Sequence, residues 1–66
     1  MAVLKVIEVL ANSSESWEEA TKNALEQASK SEKNIRSVYI NELCASVKDG
    51  KIDDYRVNVK ITFEVK

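Results

Sequence analysis

The sequence predicts an α+β fold: a β-α-β-β chain in which one helix covers one face of a three-stranded antiparallel sheet. Three observations predict it. The closing stretch YRVNVKITFEVK alternates without a gap, setting Tyr55, Val57, Val59, Ile61, Phe63 and Val65 against Arg56, Asn58, Lys60, Thr62, Glu64 and Lys66. That period of two is the signature of a strand with one buried side. Asp49-Gly50 stands between two β-type runs, and a two-residue hairpin turn needs positive φ at both central positions, which these residues tolerate. Ser16 and Glu19 form a capping box ahead of apolar residues at helical spacing, which is how a helix start reads in sequence.

The elements follow in order. Residues 2–11, AVLKVIEVLA, form the first strand. β-Branched residues dominate it, and apolar groups occupy both parities: Leu4, Val6 and Leu10 against Val3, Ile7 and Val9. A strand apolar on both faces needs cover on both faces, and in so small a domain the second cover has to come from another subunit. The helix opens at Ser16. Glu15, Glu18 and Glu19 suit the positive end of its dipole. Trp17, Ala20, Thr21, Ala24 and Ala28, with Leu25 beside them, make its buried stripe, and the alanines let it lie close to a sheet. It is expected to end between Ser31 and Lys33. The second strand runs from Ile35 to Lys48 and changes pattern midway: Val38 and Ile40 share one parity, Leu43, Ala45 and Val47 the other. Such a swap calls for a bulge, placed near Asn41 and Glu42. The last strand runs from Ile52 to Val65, longer than the helix can cover, so the ends of the hairpin are expected to pack on neighbours.

Size and composition set bounds. The 66 residues make one domain, and a chain this short buries only roughly 60% of its unfolded surface, so small domains usually need disulfides, a metal or partner subunits. Cys44 is the only cysteine and there is no histidine, which removes an internal disulfide and disfavours zinc. Self-association is the remaining route. The lone thiol and the lack of a signal peptide suit a reducing cytoplasm. No apolar run is long enough to span a membrane. Ten basic residues stand interspersed with eleven acidic ones, so no basic patch marks a nucleic-acid binder. Catalysis finds no support: there is no glycine-rich phosphate loop and no nucleophile paired with a base.

The whole chain resembles the dodecins. The carrying residues are Lys5-Val6-Ile7-Glu8, Ser16-Trp17-Glu18-Glu19-Ala20, Asn34-Ile35-Arg36, Asp49-Gly50-Lys51, Tyr55-Arg56-Val57 and Phe63, in that order. The resemblance implies a hollow homododecamer, a sheet wrapped around the helix, and non-catalytic binding of flavins such as FMN or riboflavin, stacked between tryptophans of two subunits and bonded at the ring edge by a glutamine. This sequence departs at those positions. Ser37 stands at the stacking tryptophan, Tyr39 at a glutamate and Arg56 at the glutamine. Ser37 has no π-face, and losing stacking on an aromatic weakens binding by about 1–3 kcal/mol per contact, by analogy with nucleobases.

The candidate ligand-binding residues are therefore Ser37, Tyr39 and Arg56. Arg56 brings a planar donor fork suited to phosphate, carboxylate or an anionic ring; its structural alternative is an ion pair across subunits, with Glu42 or Glu64. Tyr39, on the same strand face as Ser37, is either a substitute stacking surface or an interface aromatic. Trp17 reads as a core or interface anchor, Cys44 as a small buried side chain, and Lys5 and Glu8 as intersubunit ion-pair formers. Asp49, Asp53 and Asp54 lack the alternating spacing of a calcium loop; they form a solvated turn, or a carboxylate ring if symmetry gathers them. Three functions remain open: a homododecameric binding or storage shell for a small planar or anionic ligand, a cation-binding or purely structural shell without flavin, and a monomeric protein-protein adaptor.

Overall fold

The computed structural model describes residues 3–65; Ala2 and Lys66, assigned above to the first and last strands, lie outside the described residues. The element order is β1 (Val3–Ser13), α1 (Trp17–Ser29), β2 (Ile35–Lys48) and β3 (Lys51–Val65). Both pairings are antiparallel and the sheet order is β1-β3-β2, so the last strand is the central one. Its unbroken alternation turns one side of it to the helix. Val57, Val59, Ile61 and Phe63 all face α1 and are buried. Val57, Val59 and Ile61 pack with Ala20, Ala24 and Ala28 of the helix, and with Ile7, Val9 and Ala11 of β1.

The helix begins as the sequence indicates: the Ser16 hydroxyl accepts a hydrogen bond from the Glu19 N–H at 3.0 Å, satisfying one of the donors a helix start leaves open. It ends at Ser29, earlier than expected. Ala28 is its last buried residue, and nothing apolar in SKSEK would hold a further turn against the sheet, where packing supplies most of a short helix's stability. The N–H groups of Ser31 and Glu32 instead close onto the Ala28 carbonyl at 3.1 and 2.8 Å. Asn34, at φ 63°, redirects the chain into β2. The hairpin turn has Asp49 at φ 52° and Gly50 at φ 76°, the two positive angles its sequence calls for.

The register of β2 on β3 slips between Ile40 and Glu42, so Asn41 is the bulged residue. Before it Val38 and Ile40 lie opposite Ile61 and Val59; after it Leu43 and Ala45 lie opposite Val57 and Tyr55. One inserted residue thus keeps the apolar set on the helix side across the change of parity. It also corrects the reading of Cys44. That residue falls on the outward parity, opposite Arg56, and is exposed rather than buried.

The helix covers only part of this sheet. Thirteen helical residues span about 20 Å at 1.5 Å per residue. The fifteen residues of β3 run about 50 Å at 3.3 Å per residue, in a subunit measuring 51 × 19 × 13 Å. Leu43, Val47 and Ile52, on the helix side of the hairpin, are left exposed, and so are Leu4, Val6 and Leu10 on the opposite side of β1. No helix among the described residues is long and apolar enough to cross a membrane.

Candidate functional site

The side of the sheet away from α1 carries the polar half of β3, and the pairing arranges it in rows across the three strands. Asn12, Arg56 and Cys44 form one row; Leu10, Asn58 and Glu42 the next; then Glu8, Lys60 and Tyr39; then Val6, Thr62 and Ser37. The first two rows border a cavity of about 380 Å³, lined by Leu10, Asn12, Glu42, Cys44, Arg56 and Asn58. Its size lies at the small end of ligand sites.

A chain of polar contacts fixes one end of this cavity. Asn23 of the helix donates to the Asn12 carbonyl at 3.2 Å. Asn12 in turn donates through its side-chain amide to Asp54 Oδ2 at 2.8 Å. Arg56 Nε lies 3.9 Å from that same carboxylate oxygen. This is a loose pair, and the Arg56 side chain stays 60% exposed, so its fork remains available. Within the chain Glu64 is engaged by Arg36, whose Nε donates to Glu64 Oε1 at 2.9 Å, and Glu42 lines the same cavity as Arg56. Asn58 Oδ1 is buried without a hydrogen-bond partner, as is Ser46 Oγ. Buried polar atoms are seldom left so.

Trp17 is an anchor. Its ring stands edge-on to Tyr55, centroids 4.9 Å apart at 79°, and its indole N–H donates to the Cys44 carbonyl at 2.8 Å. It thereby ties the helix start to β2 directly behind the cavity.

Of the three candidate ligand residues, only Arg56 lines this cavity. Ser37 and Tyr39 share its face but lie opposite Thr62 and Lys60, about 20 and 13 Å along β3 from Arg56 at 3.3 Å per residue. Within one chain the three do not meet, and bringing them together takes a second copy. Sequence reading missed Asn58, Glu42, Asn12 and Leu10 as cavity residues. The signal was present, because the bulge at Asn41 sets Glu42 and Cys44 outward, beside the polar positions of β3. Among the described residues no group of three or more His, Cys, Asp or Glu side chains is close enough to hold a metal ion.

A β-α-β-β chain with large apolar side chains bare on both faces of its sheet, and a cavity on the outer one, belongs to the class of small single-sheet α+β domains. The dodecin family model matches residues 3–66, and the chain belongs to the dodecin family. It is 30% identical over 66 residues to calcium dodecin of Mycobacterium tuberculosis, covering all of this chain and 93% of that one. Its fold matches the crystal structure of that relative, described as a calcium chelating immunodominant antigen with a novel calcium-binding site, at TM-score 0.83 and 34% identity over 97% of this chain and 91% of the other. An arginine-to-alanine variant of Thermus thermophilus dodecin matches at TM-score 0.95, covering 100% of this chain and 98% of that one. Dodecin from Streptomyces davaonensis matches at 0.92, covering 98% and 96%. Both are 23% identical and speak to the fold alone.

Proposed function

We propose that this chain is the subunit of a non-catalytic cytoplasmic shell, built from twelve copies of itself, that holds a divalent cation rather than a flavin. The observation that carries the reading is the apolar surface. Leu10 outside and Val47 inside remain 76% and 68% exposed in the single chain. Exposed apolar groups on both faces of one small sheet mark interfaces rather than solvent-facing surface. The cation rests on the relationship along the full chain to a protein named calcium dodecin. Calcium takes six to eight oxygen ligands, and the described residues of one chain gather no such set. The carboxylates of Asp49 and Asp53, exposed at the hairpin, would have to be brought together from several copies at a symmetry axis. The test is thermal melting with calcium and with a chelator, alongside elemental analysis of the purified protein. The reading expects a higher melting temperature with calcium and bound metal in stoichiometric proportion. An unchanged melting curve with no metal would remove the cation.

A second reading, a small organic ligand on the outer face, is favoured by the cavity beside the available Arg56 fork. FMN or riboflavin is its least supported form, because Ser37 offers no surface for the ring. Riboflavin fluorescence that stays unquenched at tens of micromolar protein is the expected result.

A further inference from the structure

We infer that the tip of the β2–β3 hairpin is a site of spontaneous backbone isomerisation, where Asp49 passes to isoaspartate through a cyclic imide formed with Gly50, and that the product unpicks the hairpin end. Asp49 is the one aspartate or asparagine followed by glycine in this chain. The reaction needs the Gly50 amide nitrogen to reach the Asp49 side-chain carboxyl carbon. A Cβ on the following residue crowds that approach, and glycine has none. The structure leaves both reacting groups uncommitted. Among the described residues no backbone carbonyl accepts from the Gly50 N–H, Asp49 takes part in neither ion pair, and nothing stands within 4 Å of the position a Gly50 Cβ would occupy. By contrast the Asp54 carboxylate accepts from the Asn12 amide at 2.8 Å, and Asp53 and Asp54 both lie inside β3. Ring closure requires the turn to open locally. Lys48, Asp49, Gly50 and Lys51 are all exposed, and segments with few buried apolar contacts open first.

The reaction balances with water alone. A C–N bond forms, a carboxyl C–O bond breaks, and the amide proton leaves with the carboxyl hydroxyl as water. Water then adds back to either imide carbonyl. Opening on the side-chain carbonyl restores aspartate. Opening on the main-chain carbonyl leaves the chain running through the side-chain carboxyl, longer by the Asp49 Cβ and unchanged in mass. The turn cannot absorb that atom. It joins Lys48 to Lys51, which are directly paired, through Asp49 at φ 52° and Gly50 at φ 76°, and tight loops of this kind set the register of the strands they join. Val47 and Ile52, the pair next to the turn, are displaced with it. The consequence for assembly rests on the shell reading above; the isomerisation itself needs neither the shell nor the cation.

The test stores wild type and Val47→Thr in warm, mildly acidic buffer with a chelator, then digests them with a protease that cuts before aspartate and not before isoaspartate. Val47→Thr keeps the tip uncovered where sister copies would bury it. The expected result is progressive loss of cleavage before Asp49, with intact mass unchanged and cleavage before Asp53 retained, in Val47→Thr at least. Loss in Val47→Thr alone would support the site and show that assembly shields it. Cleavage before Asp49 retained in both proteins, or lost equally before Asp53, would overturn the site. Asp49→Gly is the control: two glycines accept the positive φ angles of the turn, and no imide can form. By sedimentation velocity the isomerised protein should dissociate at higher concentration than before storage, and Asp49→Gly stored alike should not change. Isoaspartate formed with association unaltered would leave the site standing and overturn its effect on the hairpin end.

Discussion

Val47→Thr separates folding from assembly. Val47 sits on the helix side of β2 opposite Ile52, beyond the reach of α1, and is 68% exposed. Threonine keeps the β-branched shape that strands favour. In the single chain the change replaces one solvent-exposed methyl by a hydroxyl, which should alter stability by less than about 0.5 kcal/mol. If a sister subunit covers this position, the same hydroxyl is buried without a partner at a cost of about 1–3 kcal/mol per copy. With tenfold per 1.4 kcal/mol, association at each such contact weakens by about 5- to 150-fold, and a closed shell repeats the loss in every copy. Sedimentation velocity over a range of concentrations reads the association, and chemical denaturation of the dissociated chain reads the fold. The expected result is a dissociation midpoint moved to higher concentration with an unchanged denaturation midpoint. Association identical to wild type would show that the hairpin end is not an interface, and the overhang reasoning would fail.

Three further outcomes follow from single contacts. Ile61→Ala empties a fully buried position under the helix and should destabilise the fold by about 2–5 kcal/mol, measured by urea denaturation; a loss below 1 kcal/mol would mean the site collapses or is less packed than its burial indicates. Ser16→Ala removes the hydroxyl that accepts the Glu19 N–H and should cost about 0.5–2 kcal/mol, seen as an earlier melt of the circular dichroism signal. Ser37→Trp combined with Arg56→Gln should restore flavin quenching that wild type lacks, worth about 1–3 kcal/mol per stacked face; no gain in riboflavin affinity would mean that the two positions do not converge between copies.

Local signals were legible in the sequence and lateral ones were not. The Ser16 cap, the Asp49-Gly50 turn and the bulge at Asn41 each rest on chemistry within a few residues, so pattern alone locates them. The parity change across Asn41 is informative because a single inserted residue inverts every side chain after it. Two further register slips, at Ile35/Ser37 and Ser46/Val47, leave a fainter mark, a single apolar residue changing parity at each: Ile35 against Val38, and Ile52 against Tyr55. The central place of β3 is set by pairing with β1, a contact between the two ends of the chain, and no local propensity encodes it. Cys44 was misplaced because its residue type suggests burial, while the bulge upstream decides its direction. The same limit applies to the site. Sequence put Ser37 and Tyr39 on one face of their strand, but only the pairing shows that Arg56 shares that face and how far along it they lie. Glu42 and Asn58 became visible as cavity residues once their row was known.

The central claim is that the bare apolar faces of this subunit are covered by sister copies. Native mass spectrometry of the gently purified protein tests it most directly. The account predicts a single species at twelve times the 7.4 kDa subunit mass, with an added increment that calcium chelation removes. A monomer at micromolar concentration, stable and soluble with Leu10 and Val47 in water, would contradict it.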